Sequence, residues 1–190
     1  PKKSEWLRSL GMLSLLVLGA ALSVYLVRPP DVVSEDAAVK EFSTARALKH
    51  LRVIAAAPHP IGSEENARVR EYIVRELTSL GLAPQVQVAI ITHSVAWEIP
   101  PPEAKIRNIV ARIKGTGNGN AVLLVTHYDS RSGAPGASDD GAAVAAILES
   151  LRALLAGPPL HNDVIVLITD GEEAGLLGAA AFASEHPWLE

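Results

Sequence analysis

The chain begins with a block of uncharged, mostly apolar residues, Ser9 to Val27, bounded by Arg8 and Arg28. A helix over that block rises 1.5 Å per residue and spans roughly 28 Å, close to the ~30 Å core of a bilayer. Trp6 and Tyr25 stand near its two ends, and Pro29-Pro30 stops it. Beyond it the period changes. Val39, Phe42, Ala45, Leu48, Leu51 and Ile54 recur at helical spacing, which predicts a helix over 39–56 that ends before Pro58. Ser63 is a fitting N-cap for a second helix through Leu80, with Gly81 as its stop and Val69, Ile73, Leu77 and Leu80 as its apolar face.

Residues 85–92 then alternate, with Val86, Val88 and Ile90 on one face, and predict a strand. A Pro-rich loop at 99–102 precedes a second strand, 106–113, and the Gly/Asn cluster 115–120 reads as a turn. The continuous apolar runs 121–126 and 163–169 predict strands buried on both faces. An Ala/Leu-rich helix over 138–156 lies between them, and another helix starts near Gly175. Strands alternating with helices predict an α/β fold, a mostly parallel central sheet with helices on both faces, preceded by one N-terminal transmembrane helix. Ligands of such sheets bind at the carboxyl ends of the strands.

Composition narrows the chemistry. The 190 residues are 48% hydrophobic and 20% charged, contain no Cys, and carry a net charge of −4. The absence of Cys excludes disulfides, thiolate metal sites and a cysteine nucleophile. Lys2, Lys3, Arg8 and Arg28 face only Glu5 in the first thirty residues, so the rest of the chain is more acidic than the net figure. No basic footprint for nucleic acid exists. The mean hydropathy of +0.22 is partly due to the Ser9–Val27 block. The positive flank lies on the N-terminal side, and Asp31, Glu35 and Asp36 follow Pro30. This places the N-terminus in the cytoplasm and the remainder on the non-cytoplasmic side. The rival reading is a cleaved signal peptide, but Val24-Tyr25-Leu26-Val27 makes a poor cleavage site.

Three loops at the predicted strand ends carry His or acids: His127-Tyr128-Asp129, Asp139-Asp140 within Gly136–Gly141, and Asp170-Gly171-Glu172-Glu173. Singly, each has an ordinary explanation: a hydrogen-bonded histidine, a helix N-terminus favoured by the dipole, a solvated first turn. Together they present imidazole and carboxylate donors that suit zinc in a metal hydrolase. His127 offers a nitrogen ligand. Asp129, two residues on, suits the second imidazole N–H and would fix the tautomer. Asp139 is a short carboxylate able to bridge two metals. Of Glu172 and Glu173, one can ligate while the other takes a proton from the attacking water. His50, His93 and His161 lack a partner pattern and read as surface residues, while His186 before Pro187 reads as a helix end. His59, in Pro58-His-Pro-Ile-Gly-Ser63, sits in a constrained loop that can line a cleft. No G-x-S-x-G elbow supports a serine hydrolase.

The segments His127-Tyr-Asp129-Ser130, Gly136-Ala-Ser-Asp139-Asp140-Gly141 and Asp170-Gly-Glu172-Glu173-x-Gly-Leu-Leu-Gly178, in this order, resemble the zinc-dependent aminopeptidase family that includes bacterial leucyl aminopeptidases and glutamate carboxypeptidase II. Phe42–Arg46, Pro58–Ser63 and Asn108–Arg112 resemble its membrane-anchored, endoplasmic-reticulum-metallopeptidase-like branch. The resemblance implies a zinc-exopeptidase-like fold and two Zn2+ ions. His127 would bind one zinc, Asp139 would bridge both and Glu173 would bind the other. Glu172 would be the general base, and Asp129 would orient His127. It also implies a cis peptide at Asp139–Asp140, and an acidic ligand and a histidine further downstream, so that the chain reads as an N-terminal part of a longer enzyme. The expected organisation is a cytoplasmic tip (1–8), an anchor (9–28), a linker (29–38) and the N-terminal part of a zinc peptidase domain (39–190). The expected function is hydrolysis of peptide substrates by an aminopeptidase-type exopeptidase. The alternatives are a non-catalytic binding ectodomain of the same fold and a glutaminyl-cyclase-like acyl transferase.

Overall fold

The structure, a computed structural model, describes residues 2–91, 104–117 and 120–189. The chain divides between Val32 and Val33 into two compact units. The first is a long helix, α1 (Lys2–Leu26). Its Glu5–Leu26 portion has a mean hydropathy of 2.0 and none of it is buried, so by length and composition it can cross a membrane. From Ser9 onward its side chains are uncharged and mostly apolar on every face, as in a helix solvated by lipid. The Ser23 hydroxyl inside it donates to the Gly19 carbonyl at 2.9 Å, so it needs no partner from outside.

The second unit contains α2 (Thr44–Ile54), α3 (Glu64–Ser79), β1 (Gln85–Ile91), β2 (Ala104–Ile113), β3 (Val122–His127), α4 (Ala142–Leu155), β4 (Val164–Thr169) and α5 (Leu177–Glu185). The sheet order is β1-β2-β4-β3. β1 and β4 both pair antiparallel with β2, and β3 pairs parallel with β4. The α/β class therefore holds, but among the described strands the sheet is mixed rather than mostly parallel. An apolar run reports burial and not direction, and β2 is sandwiched in spite of its antiparallel neighbours. One face carries the main core: Ile109, Ala111, Val166 and Ile168 of the sheet meet Ile54, Val69, Ile73, Leu77, Val144, Leu148 and Leu151 of α2, α3 and α4. The other face meets α5 through Ile106, Val110 and Leu167 against Leu177, Ala181 and Phe182.

Both outer strands are less covered than their sequences suggest. Val122, Leu123 and Val125 of β3 are 44–52% exposed, because among the described strands β3 is paired on one side only. On β1 the alternating Val86, Val88 and Ile90 form the exposed face, while Ala89 is buried. His93 and the 99–102 loop lie outside the described residues.

Local chemistry sets the helix ends. The Ser63 hydroxyl accepts from the Asn66 amide at 3.1 Å, Glu64 and Glu65 occupy the first turn of α3, and Gly81 takes the left-handed conformation (φ 81°) after it. α2 starts five residues later than its periodicity suggests. Ser43 caps it, and Val39 and Phe42 lie outside the helix, exposed.

The delayed start of α2 follows from Glu149, a wholly buried carboxylate on α4. It accepts from the Ser43 amide at 2.8 Å, from Arg46 Nε at 2.9 Å and from Arg152 Nε at 2.7 Å. Arg46 donates onward to the carbonyls of Glu35, Ala37 and Glu41, and Arg152 to those of Val39 and Glu41. One acid on α4 thereby fastens the irregular, turn-containing segment 33–43 to the core. Despite the burial that opposes its charge, these donors hold the Glu149 carboxyl well below its ordinary value, down to about 2.

His50 is not a surface residue. It is largely buried, with Nδ1 2.6 Å from the Tyr72 hydroxyl. His161 is exposed, and His186 ends α5, stacked on Phe182.

Removing one member of a buried ion pair costs about 3–5 kcal/mol. Glu149→Ala is expected to lower the unfolding free energy by that amount in urea titrations. The Glu149 contribution is present above the ordinary carboxylate pKa and is lost as pH falls through about 2. Acidification from pH 5 to pH 2 should therefore narrow the stability gap between wild type and Glu149→Ala.

Candidate active site

Three loop segments gather at the same end of the sheet, the first two within the β3–α4 connection and the third between β4 and α5. The first continues β3 as Tyr128-Asp129-Ser130. The second, Gly136–Gly141, leads into α4. The third, Asp170–Leu176, joins β4 to α5. The parallel pairing of β3 with β4 places His127 beside Thr169, so the first and third loops start level with each other. The Tyr128 amide donates to the Thr169 carbonyl at 3.0 Å, which extends the ladder by one residue past the strand.

The Asp129 carboxylate, 1% exposed, joins these loops. Its Oδ1 accepts from the Glu172 amide at 3.0 Å and its Oδ2 from the Glu173 amide at 3.1 Å. Both backbone N–H groups of the glutamate pair therefore point at one acid, and the two side chains are turned elsewhere. Asp129 also faces His127: Nδ1 donates to the Asp129 carbonyl at 3.1 Å and lies 3.5 Å from Oδ1. This fixes the tautomer and directs Nε2 to the open side of the loops.

There Nε2 meets Asp139 Oδ1 at 3.2 Å and Glu172 Oε2 at 3.7 Å. Glu173 Oε2 lies 3.7 Å from Arg131 Nη1. Asp139 is the outward member, with its side chain 77% exposed, against 8% for His127. Burial disfavours the charged imidazole, but Asp129, Asp139 and Glu172 more than offset it and push His127 up to about 9. Burial and the neighbouring Asp139 carboxylate raise Glu173. The structure thus gathers all five of the sequence-derived residues at one sheet edge. Asp139 and Glu172 face His127 Nε2, and Glu173 lies near Asp139 and Arg131.

The Asp139 loop is bent rather than helical. Asp139 and Asp140 have φ/ψ of −138°/88° and −127°/29°, and the peptide between them is cis. The α4 helix therefore begins only at Ala142. The Asp140 carboxylate turns back to the sheet and accepts from Thr126 Oγ1 at 2.7 Å, while Asp139 points outward. Gly136 is left-handed (φ 63°), and a Cβ there would lie 2.8 Å from Ser130 Cβ, so no larger residue fits.

Asp170 belongs to the support of the site. It is fully buried, accepts from Asn66 Nδ2 at 3.1 Å and the Arg107 amide at 3.0 Å, and donates its own N–H to Asn108 Oδ1 at 3.0 Å. Asn108 Nδ2 donates to the Gly178 carbonyl at 2.8 Å. Burial first, then the charge of Asp129, raises Asp170 to about 6. Its role is not legible in the sequence, since its partners come from α3 and β2. Asn108 had one signal, a polar residue inside an apolar strand run.

Imidazole nitrogen and carboxylate oxygens facing one another, with no thiolate, are the donors zinc takes. Among the described residues, no three His, Asp or Glu side chains already surround a single point that would hold a metal ion. The residues fit zinc in kind, and two at a time in placement.

Residues 108–190 match the family described as Peptidase family M28. The chain is also 32% identical over 209 residues to the vacuolar membrane protease of Yarrowia lipolytica, an alignment covering 97% of this chain and 20% of that protein. It is 30% identical over 195 residues to endoplasmic reticulum metallopeptidase 1 of Mus musculus, covering 93% and 21%. The chain thus spans about a fifth of the length of these relatives. Among solved structures, it resembles the glutaminyl cyclase of Porphyromonas gingivalis, with a TM-score of 0.66 and 25% identity over 77% of this chain and 54% of that one. A Zn-dependent exopeptidase from Parabacteroides distasonis gives a TM-score of 0.67 at 22% identity, over 79% and 58%, which shows the fold.

In the matched region a Cβ at Gly178 would overlap Asn108 Oδ1 and the Asp170 carbonyl. Gly178→Ala is therefore expected to destabilise by about 3 kcal/mol, the upper end of overpacking costs, read as a lowered unfolding midpoint.

Proposed function

We propose that the protein containing this chain is a membrane-anchored zinc metallopeptidase, an aminopeptidase-type exopeptidase with two co-catalytic zinc ions. Its catalytic domain would stand on the non-cytoplasmic side, as the basic residues before the anchor and the acidic ones after it favour. The observation that carries the activity is the meeting of His127 Nε2 with the carboxylates of Asp139 and Glu172, at the strand ends of a domain of a peptidase family. The similarity to a vacuolar membrane protease and an endoplasmic reticulum metallopeptidase supports the same reading.

His127 and Asp139 would hold one zinc ion, and Asp139 and Glu173 the other. Zinc, when bound, supplies Lewis acidity toward the attacking water and the scissile carbonyl. The rest falls to this chain's own groups. Asp129 holds His127 by Nδ1, keeping Nε2 available as a donor. Asp129 also fixes the backbone of Glu172 and Glu173, so that the two carboxylates diverge. Glu172 Oε2, half-buried and 3.7 Å from His127 Nε2, takes the proton of the attacking water and delivers it to the leaving amine. A cyclase reading is favoured by the likeness to the Porphyromonas gingivalis glutaminyl cyclase. A binding ectodomain is disfavoured, because the donor set of these loops is intact.

In the full-length protein Glu172→Gln is expected to reduce peptide hydrolysis by about 10²–10⁴-fold while bound zinc, measured by metal analysis, stays unchanged. His127→Ala should lose zinc. Unchanged turnover in Glu172→Gln overturns the assignment of the base. Release of free amino acids supports the peptidase, and formation of pyroglutamate from N-terminal Gln peptides supports the cyclase.

A further inference from the structure

The loop His59–Ser63 and the first turns of α3 have no part in the chemistry above, yet they touch all three loops of the site. The His59 amide donates to Ser130 Oγ at 2.8 Å, and the Ser130 amide donates back to the His59 carbonyl at 3.3 Å. This reciprocal pair sits directly beside Asp129, and both residues are 1% exposed. The His59 ring is oriented by donation from Nδ1 to the Ala57 carbonyl at 2.8 Å. Its Cε1 comes next to Gly136 of the Asp139 loop, 3.7 Å from where a Cβ of Gly136 would stand. Ile61 Cδ1 fills the space over Gly171, within 2.9 Å of a Cβ there, and Gly171 adjoins Glu172. Asn66, in the first turns of α3, donates to Asp170 Oδ1 at 3.1 Å.

We propose that residues 59–66 are a positioning clasp that sets the spacing of the three loops carrying Asp129, Asp139 and the Glu172–Glu173 pair. This rests on the proposed function. Strand pairing fixes where the segments after β3 and β4 begin but leaves the rest of each loop free, whereas a reacting constellation must be held to about 0.5 Å. The clasp grips each loop at a neighbour of the chemical residue: Ser130 beside Asp129, Gly136 before Asp139, Asp170 and Gly171 before Glu172. The donors themselves remain unencumbered. His59 and Ser130 therefore act as positioning residues, through the backbone of others.

The test uses the full-length protein with Ser130→Ala, which removes one hydroxyl, His59→Ala, and Leu77→Ala as a core control of similar burial. Three quantities are read: kcat and KM for peptide hydrolysis, the visible spectrum of the cobalt-substituted protein, and amide hydrogen exchange at Glu172 and Glu173. Both clasp variants are expected to lose about tenfold or more in kcat with KM within twofold, to shift the cobalt bands, and to speed exchange at the two glutamate amides about tenfold. Leu77→Ala should lower the melting temperature and leave all three unchanged. Clasp variants that match Leu77→Ala in every quantity overturn the proposal. If the wild type takes up no metal and cleaves no peptide, the functional reading fails. Exchange at Glu172 and Glu173 then decides the clasp by itself: faster exchange in Ser130→Ala supports it, and unchanged exchange refutes it.

Discussion

The candidate site depends on one carboxylate accepting two consecutive backbone amides. Asp129 receives the N–H groups of Glu172 and Glu173 and, on its other side, stands against the Nδ1 face of His127. A buried carboxylate is costly unless several donors satisfy it. Two amides, each 3.0–3.1 Å away, supply that satisfaction here. In return the acid determines how the glutamate pair is presented and which nitrogen of His127 faces outward. Neither the imidazole nor the glutamates could be placed so by their own strands alone.

The same device recurs away from the site. Glu149 is buried on α4, satisfied by one amide and two guanidinium groups, and fastens residues 33–43. Asp170 is buried at the end of β4, satisfied by an amide and a side-chain amide. In each case a buried acid captures donors from segments distant from it in the chain. This is how a chain with much loop around its sheet keeps those loops in register.

What could be read from the sequence follows from locality. α3 was legible at both ends, because Ser63, the acids after it and Gly81 are local signals that nothing distant overrides. The strands were legible as strands, and the three acid- or His-bearing loops at their ends followed from that alone. Strand direction was not legible, since apolar runs look alike in parallel and antiparallel pairs. The start of α2 was misplaced because Ser43 answers to Glu149, far along the chain. His50 looked unpartnered because Tyr72 and Glu76 lie on another helix. The bidentate grip of Asp129 depends on two loops closing on each other, which periodicity does not report.

The strand order has a consequence for synthesis. β1 and β2 are consecutive and can form their ladder early. β4, however, inserts between β2 and β3 although it follows both in the chain. Until β4 is made, β3 lacks the strand it pairs with, and its Val122, Leu123 and Val125 are unshielded. The amides that Asp129 needs come only a few residues after β4. The nascent chain thus passes through a long interval in which His127, Asp129 and Asp139 are already made and the site cannot yet be assembled.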